Sequence, residues 1–288
     1  MTAGFNNILI IGVGLIGGSL AAALKKLDPE LRIYGTGSGA ETLRLAKEHG
    51  LIEKDEPPAY QDIDLVVLAS PIETFEEWFR KLADENYEGV VTDVASAKTA
   101  VVEIAARTLK YPCNFIPGHP MAGSEKSGVL ASKDNLFEGA TWVITRDDET
   151  DMHAFLKMHA LLTAIGAFVV SVDASEHDRL IAAISHVPHV AASSLVMLAD
   201  AHKGGSEDPF QLVGGGFRDT TRIAAGDPAL WAGILCNNAD MVAEALEEYR
   251  AILGRFVDAV KCRDNAALEQ MLANPAVARK AIADKRKD

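Results

Sequence analysis

The chain has little cysteine: Cys113, Cys236 and Cys262 are the only three in 288 residues, far apart and with no C-x-x-C pair. An odd number at such spacing predicts neither a disulfide framework nor a zinc site, and it suits a reduced, cytoplasmic setting. Positive charge is also scarce. Lys and Arg total 28 against 41 Asp and Glu, a formal net charge of -13. The field of such a molecule repels polyanions, so nucleic acid and anionic membrane surfaces are not expected partners. A small anionic substrate stays open, provided that arginine or lysine gathers locally to receive it. Long hydrophobic runs are missing too. The apolar residues 8–11 stop at Gly12 with no basic segment before them, so the N-terminus does not read as a signal peptide. Only residues 180–199 resemble a membrane span, and they hold His186, Pro188, His189 and several serines. A buried helix of a soluble protein is the expectation there, with no membrane as partner.

What is present is ordinary for a globular chain long enough for two domains: 48% hydrophobic and 24% charged residues. Residues 7–11 form an unbroken run of β-formers, suited to a strand covered on both faces. A helix over 14–26, a strand over 32–35 and a helix over 41–49 follow. The pattern repeats with strand 64–69, ended by Ser70-Pro71, helix 75–83, strand 89–92 and helix 97–109. Strands 114–116 and 141–145, helix 152–165 and a last strand 167–172 complete it. The alternation predicts an α/β, Rossmann-type doubly wound parallel sheet, a dinucleotide-binding domain over 1–172. After Asp173 no β-rich run returns. Alanine- and leucine-rich segments 176–201, 208–225 and 228–261 predict a separate all-helical domain over 173–288.

The run ILIIGVGLIGGSL sets Gly12, Gly14 and Gly17 in G-x-G-x-x-G spacing between a strand and a helix, with Leu15 and Ile16 in the same turn. The first glycine permits the tight turn and the second a close approach to a pyrophosphate. The third lets helix and strand pack, and the helix N-terminus faces the anion. At the end of the second strand an acid would accept the ribose 2′-hydroxyl of NAD and repel the 2′-phosphate of NADP. Thr36, Gly37 and Ser38 stand there instead. The bar to NADP is gone, the hydroxyls suit a phosphate, and no arginine is adjacent to clamp one; NAD and NADP both remain open. Ser70 and Pro71, at the end of the third strand, complete the expected cofactor wall.

Polar residues of a kind that loops and buried helices do not ordinarily need fall in three places. One is TDVASAK, 92–98, after a strand. Another is GHPMAGSEKSGV, 118–129, and the third is ISHVPH, 184–189, with GGGFRDTTRIAAGDPALW, 214–231. With the glycine loop, these resemble the prephenate and arogenate dehydrogenases, whose motifs they match in order from about residue 7 to residue 260. The pattern departs at Gly37, where many NAD-using members carry aspartate. The resemblance implies that hydride leaves the hydroxyl-bearing ring carbon of prephenate for NAD(P), in tyrosine biosynthesis. Loss of the ring carboxylate as CO2 then restores aromaticity.

The chemistry of the residues agrees. A neutral histidine accepts a proton near neutral pH, and His119 is the candidate base. The resemblance implies that Ser96 orients it and approaches the nicotinamide. Arg222 offers a planar fork for a substrate carboxylate, with Arg218 one turn earlier. The resemblance implies that Ser124, Glu125, Ser185, His186 and His189 line the substrate pocket and that Lys126 adds positive potential. It further implies that Trp231 and the backbone around Gly215 reach across a homodimer interface. His186 and His189, three apart, with His177, also spell a metal site, but no acid or cysteine completes the set nearby, so no metal is expected. Two other readings stay open. A β-hydroxyacid or pyrroline-carboxylate type enzyme shares the architecture, but the hydroxyacid type would carry a lysine on the first interdomain helix, and 166–201 has none. A dinucleotide-sensing regulator would need the glycine loop but not His119 with Arg222.

Overall fold

The computed structural model describes residues 2–55, 58–124, 126–203 and 208–284. Its first part alternates β1 (Asn7–Ile11), α1 (Leu15–Leu27), β2 (Arg32–Thr36), α2 (Ala40–Glu48), β3 (Leu65–Leu68), α3 (Phe75–Asp84), β4 (Val90–Asp93), α4 (Thr99–Thr108) and β5 (Phe115–Ile116). The five strands are parallel in the order β2-β1-β3-β4-β5. Side chains alternate across a strand, so each face of a covered sheet receives every second residue. Ile8, Ile10, Leu65 and Val67 enter one core with Leu20 and Leu24 of α1. Leu9, Ile11, Val66 and Leu68 enter the other with Phe75 and Phe79 of α3 and Val101 of α4. Each of these apolar side chains, withdrawn fully from water, contributes about 2 kcal/mol before entropy is counted. The doubly wound expectation holds.

The last strands do not extend this sheet. β6 (Gly118–Pro120), β7 (Thr141–Thr145) and β8 (Phe168–Val172) form a second sheet in the order β6-β7-β8, with α5 (Met152–Ala164) between β7 and β8. β6 runs antiparallel to β7, and β7 parallel to β8. Pro117 stands between β5 and β6, lacks the N–H a ladder needs, and marks where the chain changes sheets.

The helical part departs from long uninterrupted helices in three places. α6 (Ala174–Ile181) and α7 (Val187–Ala201) are joined by a π-helical turn, Ala182–His186. Pro188 explains it: the ring has no N–H for the carbonyl four residues back and pushes against it, so the turn widens. In 208–225 the three glycines 214–216 and flanking tight turns leave only α8 (Gly215–Thr221) as α-helix. Asn238 separates α9 (Pro228–Asn237) from α10 (Ala239–Cys262), and α11 (Asn265–Asp284) follows. Asp151, Asp173 and Asp227 cap α5, α6 and α9 through their carboxylates.

By spatial proximity the chain falls into two compact units, residues 1–239 and 240–288. The first holds every residue discussed below as part of a site. The described residues of the second are the bulk of α10 and all of α11, with Val257, Val260, Leu272 and Val277 exposed.

Candidate active site

The glycine loop has the shape its sequence implies. Gly12 sits at φ +97, and a Cβ there would fall 2.5 Å from the Ala69 carbonyl carbon and the Ser70 nitrogen. A Cβ on Gly17 would fall 2.2 Å from the Gly12 oxygen. Both positions therefore admit only glycine. Gly14 differs: nothing lies within 4 Å of its missing Cβ. It precedes α1, which has no side-chain cap and no acid in its first turn. The free N–H groups at Leu15, Ile16 and Gly17 thus present the partial positive charge that an anionic pyrophosphate needs. The loop fits a dinucleotide.

Its far wall is tied to it. The Thr36 carbonyl accepts from the Gly12 nitrogen at 2.8 Å. The Ser38 hydroxyl accepts from the Val13 nitrogen at 2.9 Å. Gly37 lies at φ +69, and its Cβ would stand 2.9 Å from Ile11 Cγ2 and 3.2 Å from the Trp78 ring. A side chain at this position would meet both a left-handed backbone and the need to displace Ile11 and Trp78. Ser70 exchanges a hydrogen bond with Thr74 at 2.7 Å, beside Pro71 at the mouth of β3.

His119 is not in a loop; it is the middle residue of β6, opposite Val143. Its neighbour Gly118 is clamped from both sides. The Gly118 nitrogen donates to Asp93 Oδ1 at 3.0 Å, and its carbonyl accepts from Lys98 Nζ at 2.7 Å. Asp93 and Lys98 form an ion pair and are both fully buried. The bond network leaves the strand little freedom.

The imidazole then enters a chain of three groups. His119 Nδ1 lies 2.9 Å from His177 Nε2, and His177 Nδ1 lies 2.8 Å from Asp178 Oδ1. Asp178 also accepts from the backbone nitrogens of Lys98 and Thr99, at 2.7 and 2.8 Å, at the start of α4. Burial alone would raise its carboxyl. The bonds from His177 and from those two nitrogens outweigh burial and hold it below the usual range, ionised. An ionised carboxylate only accepts, so His177 carries its proton on Nδ1 and offers Nε2 as an acceptor. His119 must then donate from Nδ1, which leaves its Nε2 bare. Burial, with His177, Lys98 and His186 adding to it, pushes His119 well below 6.5 against the opposing pull of Asp178. The result is a neutral imidazole with its lone pair on a defined nitrogen.

The remaining expected residues fall into place unevenly. His186 and His189 are buried, while Ser185 between the helices is half-buried. Trp231, placed by the resemblance in a neighbour's site, stacks on His189 of its own chain with ring centroids 3.6 Å apart and a 13° tilt. Gly226 presses on this pair, since its Cβ would lie 2.6 Å from Trp231 Nε1. Arg222 and Arg218 are exposed, Arg222 opening a turn that packs on α7, and Gly215 starts α8. Ser124 is exposed and accepts from the Lys126 nitrogen at 3.1 Å. Glu125 lies outside the described residues. Ser96 is half-buried in the turn after β4, and the orienting contact on His119 Nδ1 comes from His177 instead. Among the described residues no group of three or more His, Cys, Asp or Glu is arranged to hold a metal ion. His177 spends both ring nitrogens on His119 and Asp178.

The segment after His119 is fastened to the nucleotide helix. A Cβ on Gly18 would fall 2.2 Å from Ser132 Oγ, and the Lys133 nitrogen donates to Ser19 Oγ at 3.0 Å.

Sequence reasoning missed Asp93, Lys98, Asp178 and Asn238, and considered His177 only as a metal ligand. The pair His177-Asp178, a base followed by an acid opening the first helix after the sheets, was the one signal available.

A strand–loop–helix phosphate cradle beside a buried neutral base defines a dinucleotide-dependent oxidoreductase of the two-domain dehydrogenase kind. The comparisons narrow this. Residues 20–171 match the family model of the prephenate dehydrogenase nucleotide-binding domain, and residues 173–274 that of the prephenate dehydrogenase dimerization domain. The prephenate dehydrogenase of Lactococcus lactis subsp. cremoris is 36% identical over 91% of this chain and 73% of its own length. That of Bacillus subtilis is 39% identical over 85% and 67%. The solved prephenate dehydrogenase of A. aeolicus, in complex with hydroxyphenyl propionate and NAD+, is 32% identical with a TM-score of 0.90, covering 96% of this chain and 98% of that one. The chain belongs to the prephenate dehydrogenase family.

Proposed function

We propose that the chain oxidises and decarboxylates prephenate to 4-hydroxyphenylpyruvate, in tyrosine biosynthesis, with His119 as the base that takes the ring-hydroxyl proton. The observation that carries this is the chain Asp178–His177–His119, which leaves Nε2 of a buried, neutral imidazole as the free acceptor. A dinucleotide bound at Gly12, Gly14 and Gly17 supplies the hydride acceptor. The protein's own residues do the rest. His119 Nε2 accepts the hydroxyl proton as the ring carbon is oxidised, and Asp178 balances the imidazolium through His177. Loss of CO2 makes the ring aromatic and supplies most of the driving force. Arg222, with Arg218, receives a substrate carboxylate; Ser124, Glu125, Ser185, His186, His189, Trp231 and the Gly215 backbone surround it; Ser96 lies on the cofactor side. Functionally, residues 1–172 bind the dinucleotide and residues 173–288 the substrate and a second copy of the chain.

The dimerisation reading is supported by apolar surface in each unit: Met197 and Leu198 of α7 are 71% and 59% exposed, and α10 exposes Val257 and Val260. By length and composition the stretch Ala174–Ala201 would also suffice to cross a membrane. It carries His177, Asp178, His186 and His189, all buried, which favours a helix of a cytoplasmic enzyme. A ring substrate whose side chain carries a keto group or an ammonium group fits the family equally, so arogenate is the second substrate to test. At Ser38 no carboxylate repels a 2′-phosphate and no arginine attracts one, which favours use of both dinucleotides.

Two assays test the reading. His119→Asn should lower kcat by about 10²–10⁴-fold, the usual worth of a general base, with dinucleotide binding retained. Unchanged turnover would remove the histidine from the mechanism. Prephenate or arogenate with NAD+ or NADP+, compared by kcat/KM, should show the two cofactors within about tenfold of each other, a gap of about 1.4 kcal/mol. A preference of about a thousandfold would contradict the reading of Ser38.

A further inference from the structure

His186 closes the π-helical turn before α7 and is fully buried. Its Nδ1 lies 3.3 Å from Asn238 Nδ2, and the same Nδ2 lies 2.9 Å from the backbone carbonyl of Asp178. A carbonyl oxygen only accepts, so the Asn238 atom facing it must be the amide NH2. One hydrogen of that group goes to Asp178 and the other to His186. His186 Nδ1 is therefore an acceptor, and its proton sits on Nε2. That Nε2 is buried and has no partner among the described residues. A buried donor without an acceptor is costly, and in a native fold it signals a ligand atom.

Two further facts locate the ligand. His186 is near enough to His119 to disfavour its charging. Its ring also meets Trp231 edge-on at 6.4 Å. The ring that carries the orphaned N–H thus neighbours both the proposed base and the Trp231 indole. Burial pushes His186 down to about 4, so it stays neutral at working pH.

We propose that Asn238 is a positioning residue that fixes His186 as an Nε2–H donor, giving the pocket a neutral hydrogen bond to a carboxylate or carbonyl oxygen of the substrate. The inference rests on the prephenate reading above and deepens it. A neutral donor orients the anion without adding a second positive charge beside His119, whose imidazolium forms during turnover. Asn238 is 5% exposed and bonds from one atom to two elements of the site, and turning its amide over would set oxygen against the Asp178 carbonyl and lose that bond.

The test is direct. In ¹⁵N-histidine-labelled protein with NAD+ bound, at neutral pH, the signals lost in His186→Gln identify His186. They should show Nε2 protonated and Nδ1 bare. A proton on Nδ1, a mixture of tautomers or an imidazolium would overturn the proposal, and the reading needs only the conservative His186→Gln variant to fold. With prephenate, His186→Gln keeps an N–H at similar reach and should lose clearly less kcat/KM than a variant with no donor. His186→Leu should lose about ten- to a hundredfold, chiefly through KM, as expected for a lost buried hydrogen bond. Asn238→Leu should raise KM likewise and release the tautomer. Unchanged KM in both leucine variants would sink the proposal. His119→Asn should leave the His186 tautomer as it is, so failure of the base and failure of the donor are read separately.

Discussion

Asp178→Asn is the sharpest single perturbation of the site, because one atom changes while size and shape are kept. The carboxylate receives the Lys98 nitrogen and His177 Nδ1 on Oδ1 and the Thr99 nitrogen on Oδ2, with the Thr99 hydroxyl adding to them. An amide has one accepting oxygen. If that oxygen takes the Oδ1 place, the NH2 faces the Thr99 N–H and one bond becomes a clash. In the reverse orientation two bonds clash, unless His177 moves its proton to Nε2. That shift would force His119 to accept at Nδ1 and carry hydrogen on Nε2, where the substrate proton must go. The first orientation loses least, at about 1–3 kcal/mol for one orphaned N–H, or a Tm lower by roughly 2–10 °C. Even then, His177 donates to a neutral oxygen, and the negative charge that pulls the His119 pKa up is gone. Charge-assisted bonds are roughly twice as strong as neutral ones, so the tautomer lock and the imidazolium both weaken. We expect kcat to fall about 10²-fold, about 2.7 kcal/mol of barrier, with dinucleotide Kd within about threefold. Raising the pH should not restore the rate, because lost basicity is the fault. The assay is a cycle with His119→Asn. If the three groups act as one device, Asp178→Asn adds almost nothing in the His119→Asn background. Full additivity, or a kcat within about threefold of the parent, would refute the coupling.

Two further predictions follow from the cradle and from the buried histidines. Gly14→Ala meets open space in the protein, so stability by urea unfolding should be unchanged while dinucleotide affinity drops about tenfold or more. Gly12→Ala meets backbone at 2.5 Å with φ +97, and should cost about 3 kcal/mol or more of folding stability. Equal stability losses in the two variants would be the wrong result. For pH, burial drives His186 down to about 4 and His119 well below 6.5. The unfolded chain therefore takes up protons that the folded one refuses, so stability is full above about pH 6.5 and is lost as the pH falls toward 4. The urea midpoint should be lower at pH 5 than at pH 7.5, and identical midpoints would argue against neutral buried imidazoles.

The cradle was legible in the sequence because its cause is local: three glycines within six residues, each needed for contacts between adjacent segments. The parallel sheet was legible for the same reason, as runs such as LVVL at β3 are buried on both faces and announce it. β6 was not. Gly-His-Pro has no β-forming signature, and what makes it a strand is its pairing with β7 and the grip of Asp93 and Lys98 on Gly118. His177, Asp178 and Asn238 were hidden for a related reason. Apart from the bond between the neighbours His177 and Asp178, these contacts span 52 to 80 residues of chain, and no spacing rule reaches that far. The helical segments were over-read as continuous because alanine-rich composition masks Pro188, the three glycines and Asn238, each of which interrupts the backbone for its own steric reason.

The fastening of Ser132 and Lys133 to Gly18 and Ser19 has an evolutionary consequence. A first strand–helix unit grafted from another dehydrogenase would bring its own α1, with a different side chain at the place of Gly18, and would press on the stretch that leads back to His119. Recognition of the redox partner and placement of the proton acceptor are therefore inherited together. Drift in one has to be answered by compensating change in the other, and swapping α1 alone should yield a protein that binds its dinucleotide and turns over nothing.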